Sequence, residues 1–199
     1  TWFSGHYHRN PIARYKGAEL VITGALGTNF RANENGDPGK ITMLGGFELN
    51  GERSGIWRNR GRPPQKLVGT GFSAEGFDES KHYRRMPAGD DEEVAWIFAG
   101  VEGEIIGDFG LGLGGAAGIE LDRYALALGT PPHTRILASS EGHADSYQLV
   151  VEEILFNYPG HGGTQHHHVR ADMTYFTTPN DGAVWSASSI AWGLSLIHI

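Results

Sequence analysis

Residues 106–148 read IGDFGLGLGGAAGIELDRYALALGTPPHTRILASSEGHADSYQ, and they join a glycine-dense turn, short acidic clusters and an apolar strand in one unit. The glycines at 107, 110, 112, 114, 115 and 118 let backbone approach backbone or ligand where a Cβ would collide. A chain seldom accepts that entropic cost repeatedly without geometric need. Four carboxylates follow closely: Glu120, Asp122, Glu141 and Asp145. Chemistry in this chain is expected here.

Outward from that unit, strand signals outnumber helix signals. Residues 19–24, 66–72, 94–101, 104–108 and 135–139 read as short strands bounded by Gly, Pro or charge. Residues 174–178 and 183–189 flank Pro179-Asn180-Asp181-Gly182, a hairpin signal in which Asp-Gly supplies positive φ. Helix is expected over 143–156, where Tyr147, Val150, Val151, Ile154 and Leu155 form a 3.6-residue stripe. A second helix is expected over 116–128, interrupted by Gly118 and stopped by Gly129 and Pro131-Pro132. Residues 27–65 read as long Gly-rich loops, and no repeat of fixed period is visible.

With 199 residues, 39% of them hydrophobic, the chain is long enough for one domain with a sizeable core. A net charge of −7 argues against a nucleic-acid partner. The basic stretch 53–62, with Trp57, Arg58 and Arg60, reads as a structural cluster or interface. The absence of cysteine fits a reducing, cytoplasmic compartment, and no apolar run reaches the length of a membrane span. The opening residues lack the apolar core of a signal peptide and an initiator Met, so the chain is expected to begin inside a longer one. The closing residues 194–199, LSLIHI, resemble a translated sequencing adapter and are expected to carry no function.

Three chemistries compete for residues 106–148. Gly110-x-Gly112-x-x-Gly115 fits a dinucleotide-binding turn, but Asp108 interrupts the preceding strand and no second nucleotide-binding half follows. Asp108-Phe109-Gly110 has a kinase-like spelling with no accompanying kinase element. The third is a hard metal or acid/base site, because Glu120-x-Asp122 and Glu141-x-His143-x-Asp145 set acidic and imidazole groups two residues apart. Oxygen-rich sets suit iron, manganese or magnesium. Taken singly, Asp122-Arg123 reads as a surface pair, Asp145 as a helix cap and Glu152-Glu153 as a solvated face. Glu120 differs, since it lies between Ile119 and Leu121 in an apolar setting where an unpaired carboxylate is costly. His166-His167-His168 reads as a solvated loop rather than a metal site.

The phrases GIWRNRGRPPQKLVGTGF, EGFDESKHYRR, AWIFAGV, IGDFGLGLGGAAGIELDR, LGTPPHTRILASSEGHADSYQ, VRADMTYF and AVWSASSIAW occur in this order. Together they resemble the C-terminal region of the N,N-dimethylformamidase large-subunit family across residues 55–192. The resemblance implies that residues 1–193 are a partial α/β domain of that kind, truncated at both ends, with a glutamine-amidotransferase-like mixed sheet elaborated by extra β-hairpins and long Gly-rich loops. It implies hydrolysis of a small formamide-type substrate to formate and amine in an oligomeric full-length protein, the fragment alone being inactive. It also implies a mononuclear iron held by two tyrosines and a glutamate. Glu120, in GGAAGIELDR, matches the glutamate. The tyrosines are expected outside this chain, because Tyr7 and Tyr15 sit in a segment that does not match. Gly118 stands where the characterised members are expected to carry a catalytic histidine. His143 and Asp145 are the further candidates for proton transfer. The opposing reading is a non-catalytic relative, a carbohydrate- or partner-binding module on the same scaffold.

Overall fold

The structure is a computed structural model that describes residues 12–15, 18–21, 61–110, 113–150 and 159–196. The chain divides into two compact units, Thr1–Pro64 and Gln65–Ile199. In the first, β1 (Ile12–Tyr15) and β2 (Ala18–Val21) form an antiparallel hairpin, in accord with the strand expected over 19–24. The basic cluster at Trp57, Arg58 and Arg60, and most of the expected loops over 27–65, lie outside the described residues.

The second unit opens with a one-turn helix, α1 (Gln65–Val68), and a long strand, β3 (Thr70–Lys81). It continues through β4 (Tyr83–Arg85), β5 (Ile105–Ile106), β6 (Ala117–Tyr124), β7 (Arg135–Ser140), β8 (Gln148–Leu149), β9 (Asp172–Thr177), β10 (Ala183–Ser186) and α2 (Ala191–Leu196). One sheet has the order β10-β9-β7-β4-β5 and the other β6-β3-β8, with every described pair antiparallel. Strands and short helices therefore share one unit, which is the α/β class at its coarsest, with strand dominant. The glutamine-amidotransferase-like arrangement is carried by the resemblance alone. No described helix is long and apolar enough to cross a membrane.

Ala74, Tyr83, Leu121, Leu137, Tyr147 and Met173 are fully buried and belong to one core cluster. Burial of a side chain such as Leu121 or Met173 contributes about 1.5–3 kcal/mol. The two sheets are tied by polar contacts as well. Asp172, on β9, accepts the Tyr124 backbone N–H of β6 at 3.0 Å and the Ser139 hydroxyl of β7 at 2.7 Å. Trp192 of α2 packs edge-on to Tyr83 and to Trp185, with centroid separations of 5.8 and 5.6 Å.

Several local expectations are corrected. The helix expected over 116–128 is strand β6 followed by a single 3-10 turn, Leu126–Leu128. Ile119, at φ 67°, lies outside the helical basin, and residues 117–124 find ladder partners on β3 that an isolated, glycine-interrupted helix could not match. The stop at Gly129 is where the sequence places it, with φ 96° at the end of the turn. Since β6 follows the glycine turn, the helix required by the dinucleotide reading is absent from the described residues. The helix expected over 143–156 is, as far as Val150, a turn and the short strand β8, and 151–158 lie outside the described residues. The strand expected over 94–101 is a 3-10 turn, Ala95–Phe98, that buries Val94 and Phe98 four positions apart, a helical spacing. Gly69, at φ 84°, divides the strand expected over 66–72 into α1 and the start of β3. The strands expected over 104–108 and 135–139 and the 174–189 hairpin are present as β5, β7 and β9–β10.

Candidate functional site

The candidate site grows from the pairing of β3 with β6. From Thr70↔Tyr124 to Gly76↔Ile119 the two strands pair with one slip, between Phe72 and Ala74. Register is then lost until Lys81↔Ala117, so the backbone of Gly118 and Ile119 sits at an irregularity. Two side-chain hydroxyls serve it. The Ser189 hydroxyl accepts the Gly118 N–H at 2.8 Å and donates to the Gly118 carbonyl at 2.9 Å. The Tyr147 hydroxyl accepts the Ile119 N–H at 3.2 Å and donates to the Asp78 carbonyl at 3.2 Å.

Glu120 leaves the strand immediately after this irregularity. It is half-buried and lies directly opposite Glu75 of β3, also half-buried. Residues paired in this way present their side chains on one face of the sheet. Burial pushes the Glu75 carboxyl above its ordinary range, and the facing Glu120 adds to the rise. The buried setting expected for Glu120 is therefore only half realised; among the described residues the fully buried carboxylate is Asp172. Asp172 is taken up by Arg170 Nε at 2.8 Å as well as by Ser139 and the Tyr124 N–H.

Gly118 is tightly enclosed. A Cβ at this position would run into Ser80 Oγ and lie 2.6 Å from Ser80 Cβ and 2.9 Å from the Tyr147 hydroxyl. Gly76 faces the same tyrosine: a Cβ there would lie 2.6 Å from Tyr147 Cγ and 2.8 Å from its Cα. Tyr147 is thus seated between two glycines, one on each strand.

His143 and Asp145 have separate surroundings. His143 is fully buried, its ring 4.7 Å from that of Tyr147, with Nε2 2.8 Å from Ser140 Oγ. Ser140 Oγ also accepts the Ala171 N–H at 2.8 Å, so its proton is available to His143 Nε2. Burial pushes the His143 pKa down to about 4, assisted by Lys81 and His82. Asp145 is exposed and accepts from the Thr164 N–H at 2.9 Å, the Thr164 hydroxyl at 2.6 Å and Gln165 Nε2 at 3.2 Å. Those bonds, from the Thr164 side chain foremost, hold its carboxyl below the ordinary range. The structure brings His143 to Tyr147 and gives Asp145 to the 162–165 turn.

Glu141 pairs with Arg84 at 2.7 Å on the surface. His166, His167 and His168 lie ring on ring beside His161. Among the described residues, no group of three or more His, Cys, Asp or Glu could hold a metal ion. Sequence reasoning missed Glu75, Ser189 and the sheet-joining Asp172. Only the last had a signal, Arg170-x-Asp172 spelled between Val169 and Met173 in an otherwise apolar run.

Comparison with known proteins places this geometry in a lineage. The chain is 50% identical over 147 residues to the N,N-dimethylformamidase beta subunit of Alcaligenes sp, a match covering 73% of this chain and 19% of that protein. It is 49% identical over 147 residues to the N,N-dimethylformamidase beta subunit of Paracoccus aminophilus, with coverages of 73% and 19%. The aligned part of the chain thus spans about a fifth of the length of these relatives. The sequence profile of the family described as N,N-dimethylformamidase beta subunit-like, C-terminal, matches residues 31–198, and the chain belongs to that family.

Proposed function

We propose that this chain is part of an amide hydrolase that cleaves a formamide-type substrate to formate and an amine, with Glu120 supplying the carboxylate of an iron site. The observation that carries the reading is the placement of Glu120 beside a strand irregularity, opposite Glu75, in a chain 49–50% identical over 147 residues to N,N-dimethylformamidase beta subunits. Two half-buried carboxylates on one sheet face are hard oxygen donors whose mutual repulsion a cation relieves.

Glu120, with Glu75 beside it, would supply carboxylate oxygen to an iron, which further donors would have to complete. Tyr83 and Tyr147 are not spare phenolates, since their hydroxyls are engaged by the Ala187 carbonyl at 2.7 Å and by Ile119 and Asp78. Burial also pushes the Tyr83 hydroxyl further from ionisation. The remaining donors belong to other parts of the full-length protein. The chemistry that iron(III) supplies when bound is polarisation of the formyl oxygen and acidification of a water. This chain's own share is to hold the Glu120 carboxylate, with Glu75 beside it, on a backbone that the Ser189 and Tyr147 hydroxyls bond. Proton transfer by His143 or Asp145 has weaker support, because the first is enclosed by the core and the second is committed to Thr164 and Gln165.

One observation favours the alternative of a non-catalytic relative. Gly118 occupies the position implied for a histidine, and its surroundings leave no room for a side chain. The full-length subunit carrying this segment decides between the two. On the hydrolase reading it purifies with iron and releases formate from N,N-dimethylformamide, and Glu120→Gln loses both. A folded, iron-free protein that releases no formate from any formamide rejects it.

A further inference from the structure

We propose that Tyr147 is a positioning residue for Glu120, its hydroxyl fixing the Ile119 peptide and with it the direction in which the Glu120 carboxylate leaves β6. The inference rests on the reading of Glu120 as a metal-site carboxylate and names the device that aims it.

The argument begins with a conformational oddity. Ile119 has φ 67°, in the left-handed region that a β-branched residue avoids, because its Cβ crowds the backbone there. Such a conformation persists only where the surroundings over-determine it. The usual determinant in a strand, the ladder to its neighbour, is missing beyond Ile119, since β3 and β6 lose register between Gly76↔Ile119 and Lys81↔Ala117. The peptide joining Gly118 to Ile119 is held instead by two hydroxyls, Ser189 at its carbonyl and Tyr147 at its N–H, and the tyrosine anchors itself on the Asp78 carbonyl of β3.

The tyrosine is itself closely enclosed. It is fully buried, its ring lies against His143, and it fills the space that the missing side chains of Gly76 and Gly118 leave. The Tyr147 N–H donates to the Ala144 carbonyl at 3.0 Å, and the next residue, Gln148, pairs with Glu75 on β3. One enclosed side chain therefore spans from the strand carrying Glu75 to the peptide that joins Gly118 to Ile119, one residue before Glu120. Rotation of the Ile119 peptide would turn the following residue, so loss of the hydroxyl loosens the carboxylate while leaving the aromatic packing in place.

The test uses the full-length subunit and compares Tyr147→Phe, Glu120→Gln and the double variant Tyr147→Phe/Ile119→Gly. Hydrogen exchange of the peptide containing 117–122 reads the Ile119 N–H directly, and chelator competition reads iron affinity. Tyr147→Phe is expected to exchange faster in that peptide alone and to hold iron about 10- to 100-fold more weakly, the range for partners that orient metal ligands. The double variant is expected to recover much of the iron affinity, because glycine adopts φ > 0 without external support. A loss caused by general loosening of the core would not be recovered in this way. Unchanged exchange or unchanged iron affinity in Tyr147→Phe overturns the inference. So does an unfolded Tyr147→Phe, which would make the hydroxyl a determinant of folding rather than of aim. If Glu120→Gln retains iron, it is the proposed metal site that fails, a result separate from any behaviour of Tyr147.

Discussion

His143 shows how one buried side chain can write a pH dependence into the fold. Its imidazole is neutral in the native state, with Nε2 facing the Ser140 hydroxyl, and burial holds its pKa at about 4 against an ordinary 6.5. The folded value is depressed, so the unfolded chain binds the proton first as the pH falls. Stability is then full above about pH 6.5 and is lost progressively down to about pH 4, by up to about 3 kcal/mol for a shift of this size. Protonation would also require Nε2 to donate to Ser140 Oγ, a hydroxyl already accepting the Ala171 N–H. Neighbouring Lys81 and His82 oppose the extra charge further. Denaturant midpoints measured from pH 7 to pH 4 should therefore fall more steeply for the parent than for His143→Gln. Parallel curves would show that the imidazole is charged, or solvated, in the native state.

The bulged strand β6 is where sequence reasoning and structure part most sharply. Residues 116–128 offer helix-like spacing, yet the chain is a strand because Gly118, enclosed by Ser80 and Tyr147, and Ile119, at positive φ, belong to an irregularity completed by distant partners. Those partners lie 28 and 71 residues away, at Tyr147 and Ser189, and no local pattern announces them. The hairpin of β9 and β10 was legible for the opposite reason. Its determinant is local, with Asp181 at φ 59° supplying the positive φ that its turn needs. The sequence marks Glu120 as the odd carboxylate in an apolar phrase but gives no sign of Glu75, since only the strand register sets it opposite. Glycine at 118 is a packing requirement on this account. Gly118→Ala should destabilise the β3–β6 pair by about 1–3 kcal/mol through overpacking, and Gly118→His by more. Faster hydrogen exchange across residues 117–124 would register this. An unaltered exchange rate in Gly118→Ala would mean that Ser80 swings aside at little cost.

For the second unit as a whole, the question is what makes two antiparallel sheets one cooperative body. The apolar core is continuous, but part of it is built from alanines, Ala74, Ala116, Ala117, Ala138 and Ala171, which contribute less burial than Leu or Phe. Directional polar contacts make up part of the difference, and Asp172 is the busiest of them. From β9 it receives β6 through the Tyr124 N–H and β7 through Ser139, while Arg170 compensates its charge. Truncation to Asp172→Ala would strand a backbone N–H, a hydroxyl and a guanidinium at once, at a cost of about 3–5 kcal/mol, the range for breaking a buried pair on one side. Asp172→Asn keeps an amide oxygen for one of these donors and loses the charge, so about half that cost is expected. Hydrogen exchange of β6 and β9 peptides separates a junction from a contact internal to one sheet. A junction predicts that both peptides lose protection together in Asp172→Ala, although the substituted residue lies on only one of the strands. If β9 alone loosens, the sheets are coupled by the apolar core, and the carboxylate at 172 serves its own strand and β7.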